Sequence, residues 1–431
     1  MKRGFYTIMA AQFFSSLADN ALLIAAIALL AELSGPAWMA PLLKFFFTLS
    51  YVMLAPFVGA FADSMPKGRV MFITNMVKIV GCAMLLFYEL ASPAGVQGYV
   101  MVLVAYAVVG LGAAAYSPAK YGILTELLPP RQLVLANGWI EGLTVASIIL
   151  GVLLGGALIS PAISHLLLAP EKAYLAAGID TPAEAAIPLI ALIYIVAAIF
   201  NLFIPDTGAH YEPQRTNPLL LMSDFWGCFT TLWRDKLGQI TLAVTTLFWG
   251  AGATLQFLVL RWAEMHLGLP LSKGAILQGI TAVGIALGAV FAARFIPLHR
   301  SLAVLPVGIA MGIVVMLMVF VSAMPLVYLF LIAVGVLAGC FVVPMNALLQ
   351  HRGHVLLSAG HSIAVQNFNE NLAILAMLAI YSGMVATNLS IYTIMVIFGL
   401  FVSATMLMVM LRHRYNQSKG DSLHLIGMEK H

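Results

Sequence analysis

Ionisable side chains interrupt several of the most apolar segments of this sequence. Asp19 lies inside the first such segment, Lys120 follows Pro118 in "GAAAYSPAKYGILTEL", and Glu141 and Glu370 end the motifs "NGWIE" and "QNFNE". An ionisable group at the centre of a bilayer costs about 2.5–3.5 kcal/mol on insertion scales, so most of those that occur are paired, face a cavity or reach the interface. Cations and carboxylates in such positions can bind the charged parts of a ligand.

Asp19 lies near the middle of the first apolar segment. It stands about 14 residues, or roughly 21 Å, from the start of that segment, and an aspartate is too short to reach the interface from there. Gln12, Ser15, Ser16 and Asp19 are spaced three and four apart, so they share one helical face, with Asn20 adjacent. We expect this face to line a polar cavity and to contact substrate, with a hydrogen-bond cluster between helices as the alternative.

Lys120 has a setting that favours an anionic ligand. Pro118 removes a backbone hydrogen bond, small residues nearby allow close approach, and Tyr116 lies on the same face. The lysine stands about seven residues, roughly 10 Å, from one end of its segment, so snorkelling to the interface is the alternative. Snorkelling is also what we predict for Lys44 and Lys78, which we assign to the ends of their helices.

The two glutamates each have an amide side chain one helical turn before them. Asn137 precedes Glu141, and Gln366 precedes Glu370, which also has Asn369 beside it. We expect both clusters to contact substrate, and hydrogen bonds between helices are the alternative.

Arg261 ends an apolar segment in "LFWGAGATLQFLVLRWA". Its planar fork of donors suits a phosphate, and an interfacial anchor beside Trp262 is the alternative.

Cys82, Cys228 and Cys340 are scattered without metal-type spacing, which predicts free thiols. Neither a metal nor a cofactor is expected.

Long apolar helices must position these residues. The chain has 431 residues, 62% of them hydrophobic and 9% charged, with a mean hydropathy of +1.00. A helix needs about 20 apolar residues to cross a bilayer. The sequence predicts twelve spans, at roughly 5–31, 37–62, 70–91, 98–127, 132–160, 186–205, 239–262, 274–297, 301–322, 326–350, 355–385 and 389–411. The first follows "MKRG" as a signal peptide would, but its length and its polar residues predict an uncleaved helix.

Lysine and arginine predict the orientation of the spans. Of the 21 Lys and Arg residues, 15 fall on one side if both termini are cytoplasmic, and only Lys172 and Lys273 fall on the other. An excess of positive charge is typical of cytoplasmic loops. The net charge of +4 therefore reflects topology, and no nucleic-acid partner is expected.

The sequence divides into two halves that are related by an internal repeat. A polar connection over 206–238 separates six spans in 1–205 from six in 239–412, and 413–431 form a tail that we expect in the cytoplasm. "PAK" recurs as "PMN" 226 residues later, "NGWIE" as "QNFNE" 229 later and "PKGR" as "PLHR" 231 later. These matches predict an all-α membrane protein of two pseudo-symmetric six-helix bundles. That is the parallel repeat of the major facilitator fold, whose substrate site lies between the halves near the bilayer midplane.

The segment "GAFADSMPKGRV" predicts a gate between the second and third spans. It resembles the loop signature of major facilitator proteins, with Asp63 followed by Lys67 and Arg69. We expect Asp63 to pair with one of these cations or with a helix end at the cytoplasmic face, and to hold the halves in one state. The alternative is a solvated loop that only follows the charge rule.

Two pairs of glycines spaced four apart predict close helix packing. They are Gly151 with Gly155 and Gly284 with Gly288, on the fifth and eighth spans. We expect these two spans to border each other across the halves.

Five segments together resemble the bacterial lysophospholipid transporters of the major facilitator superfamily: "QFFSSLADNALL", "GAFADSMPKGRV", "GLGAAAYSPAKYGILTEL", "LVLANGWIEGLTVASIILG" and "LFWGAGATLQFLVLRWA". The resemblance implies import of lysophospholipids, chiefly lysophosphatidylethanolamine, across the bacterial cytoplasmic (inner) membrane. It also implies re-acylation at the inner leaflet by an acyltransferase/acyl-carrier-protein synthetase, with membrane lipids around the spans. On this hypothesis Lys120 holds the lipid phosphate, and Asp19 or a glutamate faces the amine.

Two other functions are less well supported by the residues. A proton-coupled exporter of amphipathic molecules is the alternative transporter, but "GVLLGGAL" lacks the proline of the Gly-Pro motif that drug antiporters of this fold usually carry. An intramembrane lipid enzyme would need catalytic spacing around His354 and His361, and neither a serine–histidine–acid order nor a metal spacing is present. We therefore do not expect an enzyme.

Overall fold

The computed structural model describes residues 3–34, 39–88, 97–168, 179–209, 217–269, 271–420 and 426. Within these ranges the chain is nearly all helical and contains no strand. The helices are α1 (Arg3–Glu32), α2 (Ala40–Asp63), α3 (Lys67–Leu86), α4 (Gly98–Leu127), α5 (Leu133–Ile159), α6 (Pro161–Leu167), α7 (Pro182–Leu202), α8 (Pro218–Arg234), α9 (Gly238–Leu267), α10 (Leu271–Phe295), α11 (Leu305–Leu317), α12 (Met324–Leu356), α13 (Ala359–Ala386) and α14 (Ile391–Ser418). Lys2, Lys172 and Lys430, which enter the predicted charge asymmetry, lie outside the described residues.

Twelve helical segments in the described part of the chain are long and apolar enough to span a membrane, which confirms the predicted number of spans. The ninth span joins α11 to 3-10 turns on either side, Leu298–Val304 and Met318–Phe320. Helices α6 and α8 are not spans. The connection predicted over 206–238 thus contains a helix, α8, which buries Phe225 and Leu232 and leaves most of its other residues exposed.

The chain forms two compact units. The first comprises Met1–Ile123 and Ala146–Leu221, and the second comprises Leu124–Val145 and Met222–His431. Helix α5 therefore begins in the second unit and ends in the first.

In the first unit, α7 packs against both α1 and α3. Its start is fixed by a capping box in which Thr181 Oγ1 accepts from the Glu184 amide and the Glu184 carboxylate accepts from the Thr181 amide. The core of this unit buries Leu22, Tyr106 and Tyr194. These contacts hold the polar faces of α1, α3 and α7 next to one another.

In the second unit, α12 packs along α10, α13 along α9, and α14 along α11. Glycines allow α10 and α12 to approach closely: a Cβ added to Gly288 would lie 2.2 Å from Val336 O, and one added to Gly339 would lie 2.2 Å from Ile285 O. Real Cβ atoms do not come this near to a carbonyl oxygen, so only glycine fits at these two positions.

The close packing predicted at the two glycine pairs is present, with a different partner helix for each pair. A Cβ on Gly151 would meet the Cβ of Asn20 at 2.7 Å, and one on Gly155 would also meet α1. Gly284 and Gly288 pack against α12 instead. Each pair forms its close backbone contacts inside its own unit, because a small-xxx-small pattern specifies close packing and not the identity of the partner helix.

Helices α4 and α12, each with a proline at the same distance from its start, support the repeat. Pro118 lies 20 residues after Gly98, the first residue of α4, and Pro344 lies 20 residues after Met324, the first residue of α12. The contact between α3 and α7, the third and sixth spans, recurs between α11 and α14, the ninth and twelfth. These two matches support the predicted repeat, and the bounds of the two halves stay a prediction.

Candidate functional site

A buried ion pair lies inside the first unit. Lys78 Nζ donates to Asp19 Oδ2 at 2.9 Å and to Ser15 Oγ at 3.0 Å. The other oxygen of Asp19, Oδ1, accepts from the Tyr194 hydroxyl at 2.6 Å. The Lys78 side chain is 1% exposed and that of Asp19 is 19% exposed, so the carboxylate is the accessible partner. Removing either partner would leave an uncompensated charge inside an apolar bundle.

Further polar groups surround the ammonium of Lys78. Its Nζ lies 5.0 Å from the ring centroid of Tyr116 and 5.5 Å from that of Tyr194, within range of cation–π attraction. Ser15 Oγ donates to Asn75 Oδ1 at 2.8 Å. The Tyr116 hydroxyl and Asn75 Nδ2 are buried and have no hydrogen-bond partner within the described residues. Buried polar groups are rarely left unpaired, so these two atoms need an explanation.

The prediction that Lys78 snorkels from a helix end is wrong. The residue stands 11 positions after Lys67, the first of the 20 residues of α3, and so lies about 16 Å along the helix. From that depth its side chain turns inward to Asp19. The distance of Lys78 from the start of its helix, which was used for Asp19, is the sequence signal that would have identified Lys78 as an inward-facing residue. Lys44, in contrast, is exposed, with its Nζ 5.6 Å from the ring centroid of Phe47.

Lys120 lies one helical turn from this cluster. It is half-buried, and its Nζ stands 4.2 Å from the ring centroid of Tyr121. Tyr116, which contacts Lys78, precedes Lys120 by four residues on α4. The contact with Lys78 and the Lys120 side chain therefore lie on consecutive turns of α4. Asn20 contributes little to the cluster, because its Nδ2 donates to the Ser16 carbonyl of its own helix at 2.8 Å.

A chain of amides connects two buried glutamates in the second unit. Asn346 Nδ2 donates to Glu141 Oε1 at 3.3 Å. Gln366 Nε2 donates to Asn346 Oδ1 at 3.1 Å and to Glu370 Oε1 at 2.7 Å. Glu141 is 4% exposed and Glu370 is 7% exposed. Helices α5, α12 and α13 thus bring the two predicted glutamate clusters into one network.

The remaining amides of this region tie helices together. Asn137 and Gln350 form a reciprocal pair, each amide donating to the other at 2.9 Å. Asn369 Nδ2 donates to a carbonyl of its own helix at 2.8 Å. The sequence interpretation did not include Asn346 and Gln350 in the site. Their signal is the spacing of two amides four residues apart on an apolar helix, directly after Pro344.

Arg261 is not brought into the glutamate network. It is half-buried on α9, its Nε is buried without a hydrogen-bond partner in the described chain, and it forms no ion pair there. Trp262 beside it is fully buried.

The ion pair expected at the second loop is present between Asp63 and Lys67. Their side chains are buried and 2.5 Å apart, and Lys67 Nζ also donates to the Ala62 carbonyl at 2.8 Å. Arg69 is exposed on the first turn of α3. The pair joins the end of α2 to the start of α3, and its role in gating stays a prediction.

A third ion pair fixes the start of α9. Arg352 donates from Nε to Asp235 Oδ2 at 2.9 Å and from Nη2 to Oδ1 at 2.6 Å. Asp235 Oδ2 also accepts from the amides of Leu237 and Gly238. Burial by itself raises the pKa of Asp235, but the bonds from Arg352 and the two amides outweigh it, so the pKa lies below its ordinary value.

Known proteins resemble this chain over most of its length. The family model of the Major Facilitator Superfamily matches residues 8–376. The lysophospholipid transporter LplT of Yersinia enterocolitica is 41% identical over 386 residues, which cover 89% of this chain and 88% of that protein. LplT of Yersinia pestis strain Pestoides F is 41% identical over 383 residues, covering 89% and 87%. The crystal structure of a bacterial homologue of the iron transporter ferroportin in the outward-facing state has a TM-score of 0.71 at 16% identity, covering 97% of this chain and 100% of that one, a similarity of fold alone.

Proposed function

Because the chain belongs to the Major Facilitator Superfamily, we propose that this multi-pass protein of the bacterial cytoplasmic membrane transports lysophospholipids. The observation that carries the proposal is the 41% identity, over 89% of the chain, with proteins named lysophospholipid transporters. A lysophospholipid has a polar headgroup and one acyl chain. The buried polar clusters of the two units suit the headgroup, and the apolar helix surfaces leave the acyl chain in lipid.

The phosphate of the headgroup requires a cation. We propose Lys120 as one such cation, since it is half-buried on α4 at the turn after Pro118. Tyr116 lies one turn before it and keeps a buried hydroxyl without a partner in the described chain. Arg261 carries a guanidinium with one unpartnered donor and is proposed as a second phosphate contact, at another point on the lipid's path.

The amine of lysophosphatidylethanolamine requires a carboxylate. Asp19 already accepts from Lys78 and Tyr194, so its charge is balanced within the first unit. Glu141 and Glu370 accept from one network of amide donors, and we propose these two carboxylates as the sites for the ammonium group. The amides of Asn137, Gln366 and Asn369 support the helices that present these two glutamates.

The direction of transport and the fate of the product follow from the resemblance to the lysophospholipid transporters. We propose that both termini lie in the cytoplasm and that the lipid moves to the inner leaflet. There an acyltransferase/acyl-carrier-protein synthetase would add the second acyl chain. The pair of Asp63 and Lys67, with the exposed Arg69, would stabilise one state of the transport cycle.

The headgroup assignment is tested by uptake of labelled lysolipids into spheroplasts that express each variant at equal level. Lys120→Ala should reduce uptake of every lysophospholipid, whereas Lys120→Arg should keep part of it because the charge survives. Lys419→Ala is the matched control, since Lys419 is exposed just after α14 and its Nζ also lies over a tyrosine ring, that of Tyr415. Glu370→Gln should reduce uptake of lysophosphatidylethanolamine more than that of lysophosphatidylglycerol, which has no amine. Normal uptake by Lys120→Ala would exclude the lysine from the phosphate site, and equal losses of both lipids would exclude Glu370 from the amine site.

A further inference from the structure

We propose that Lys78 is a second binding site for the phosphate of the lipid headgroup, and that Asp19 is the counter-ion that occupies Lys78 when no lipid is bound. This inference rests on the proposed function and names a subsite for it.

The two partners of the ion pair differ in accessibility. Asp19 is 19% exposed, whereas Lys78 is buried behind it and also donates to Ser15 Oγ. A ligand that reaches Lys78 must therefore displace the carboxylate. A phosphate is negatively charged, as the Asp19 carboxylate is, and it accepts the same charge-assisted hydrogen bonds. The exchange therefore replaces one ion pair of Lys78 by another, and Lys78 keeps an anionic partner throughout. The displaced Asp19 carboxylate keeps the hydrogen bond from the Tyr194 hydroxyl, and its charge is on the accessible side of the pair, where the side chain is 19% exposed.

Unused donors beside Lys78 suit a ligand with more acceptor atoms than a carboxylate. The Tyr116 hydroxyl and Asn75 Nδ2 are buried without partners within the described residues. Tyr116 places its ring 5.0 Å from the ammonium, and Asn75 is linked to the ammonium through Ser15. A phosphate has enough oxygens to accept from the ammonium and from such neutral donors together. The carboxylate, which already binds Lys78 and Tyr194, leaves these two donors unused.

The position of Lys78 also fits a stepwise path. Tyr116 stands between the two lysines. Its ring contacts Lys78, and Lys120 lies one turn further along α4. The stem of Lys78 is held tightly against α4, because a Cβ added to Gly112 would lie 2.7 Å from Lys78 Cγ. Along the axis of α4, Lys120 is about one helical turn, roughly 6 Å, from Tyr116, one of the donors beside Lys78.

The experiment distinguishes phosphate binding by Lys78 from charge balance between Lys78 and Asp19. Wild type, Lys78→Met, Asp19→Asn, the double variant Lys78→Met/Asp19→Asn and Lys78→Arg are purified in detergent. Binding of lysophosphatidylglycerol and of monoacylglycerol, which lacks phosphate, is measured by native mass spectrometry, and lysolipid uptake is measured in vesicles. Lys78→Met and the double variant should bind lysophosphatidylglycerol about tenfold or more weakly, as for the loss of a charged hydrogen bond, with monoacylglycerol unaffected.

Asp19→Asn should bind lysophosphatidylglycerol more tightly than wild type, because no carboxylate competes for Lys78, and Lys78→Arg should retain binding. The double variant distinguishes phosphate binding by Lys78 from simple charge balance, since it carries no unpaired charge from this pair. If it binds and transports as wild type does, the pair only balances charge and the inference is wrong. If the methionine variants do not fold, unchanged affinity in Asp19→Asn contradicts the inference equally. Failure of the proposed function is distinguishable, because the wild-type protein itself would then neither bind nor take up lysophospholipid.

Discussion

The ion pair between Arg352 and Asp235 should make a large contribution to the stability of the second unit. Exposed ion pairs contribute about 0–1 kcal/mol, whereas removing one partner of a buried pair costs about 3–5 kcal/mol. Here the side chains are only 9% and 11% exposed and form two direct hydrogen bonds. After Arg352→Ala, Asp235 still accepts from two backbone amides, so the loss should lie at the lower end, about 3 kcal/mol. That is about a hundredfold in the unfolding equilibrium constant.

A double-mutant cycle measures this pair. Arg352→Ala, Asp235→Asn and the double variant are compared with wild type by reversible unfolding in mixed micelles. We expect a coupling energy of about 2 kcal/mol or more. Arg412→Ala is a matched control, because Arg412 is exposed and donates only to Gln239, and it should cost less than about 0.5 kcal/mol. A coupling energy below about 0.5 kcal/mol for the buried pair would refute the reasoning.

The same pair predicts a dependence on pH. The pKa of Asp235 is lowered in the folded protein, so its contribution is fully present above the pKa of an unfolded aspartate, about 3.9. The contribution is lost as the pH falls through the lowered pKa. Wild type should therefore lose more stability than Arg352→Ala as the pH falls below about 4. Parallel stability curves for the two proteins would contradict this.

Three further outcomes are expected. Asp63→Asn should slow lysolipid transport at a normal protein level, because it weakens a buried ion pair at the second loop; an unchanged turnover number would leave only a topological role. Gly288→Ala should lower the melting temperature, whereas Gly279→Ala on the same helix, where a Cβ meets nothing within 4 Å, should not; equal melting temperatures would remove the close packing of α10 and α12 as a source of stability. Gln366→Leu removes the donor that links Asn346 to Glu370, and should raise the KM for lysophosphatidylethanolamine more than that for lysophosphatidylglycerol.

The membrane architecture was predictable from the sequence because it depends on local composition. Each span needs an apolar run of sufficient length, and the repeat was visible in the spacing of Pro118 and Pro344. Helix α8 was missed because it is amphipathic and lies inside a polar connection, so it contains no apolar run long enough to indicate a span. Trp226, for example, is half-exposed, while Phe225 beside it is buried against the ring of Phe368.

The polar clusters were predictable in part. Depth and residue type identified Asp19, and the repeat identified Glu141 and Glu370, because a charge inside an apolar helix is costly wherever it lies. Their partners depend on tertiary packing. Lys78 is 59 positions from Asp19, and Asn346 is 205 positions from Glu141, so no local pattern joins them. Only the packing of α1 with α3 and α7, and of α5 with α12, sets these pairs.

The most direct test of the account is the transfer of a lysolipid across a bilayer by the purified protein. Vesicles with and without the protein receive fluorescent lysophosphatidylethanolamine or its diacyl counterpart, and albumin then extracts whatever remains in the outer leaflet. We expect that, only in vesicles containing the protein, the lysolipid becomes protected from extraction while the diacyl lipid stays extractable. Equal protection of the lysolipid in protein-containing and protein-free vesicles would contradict it.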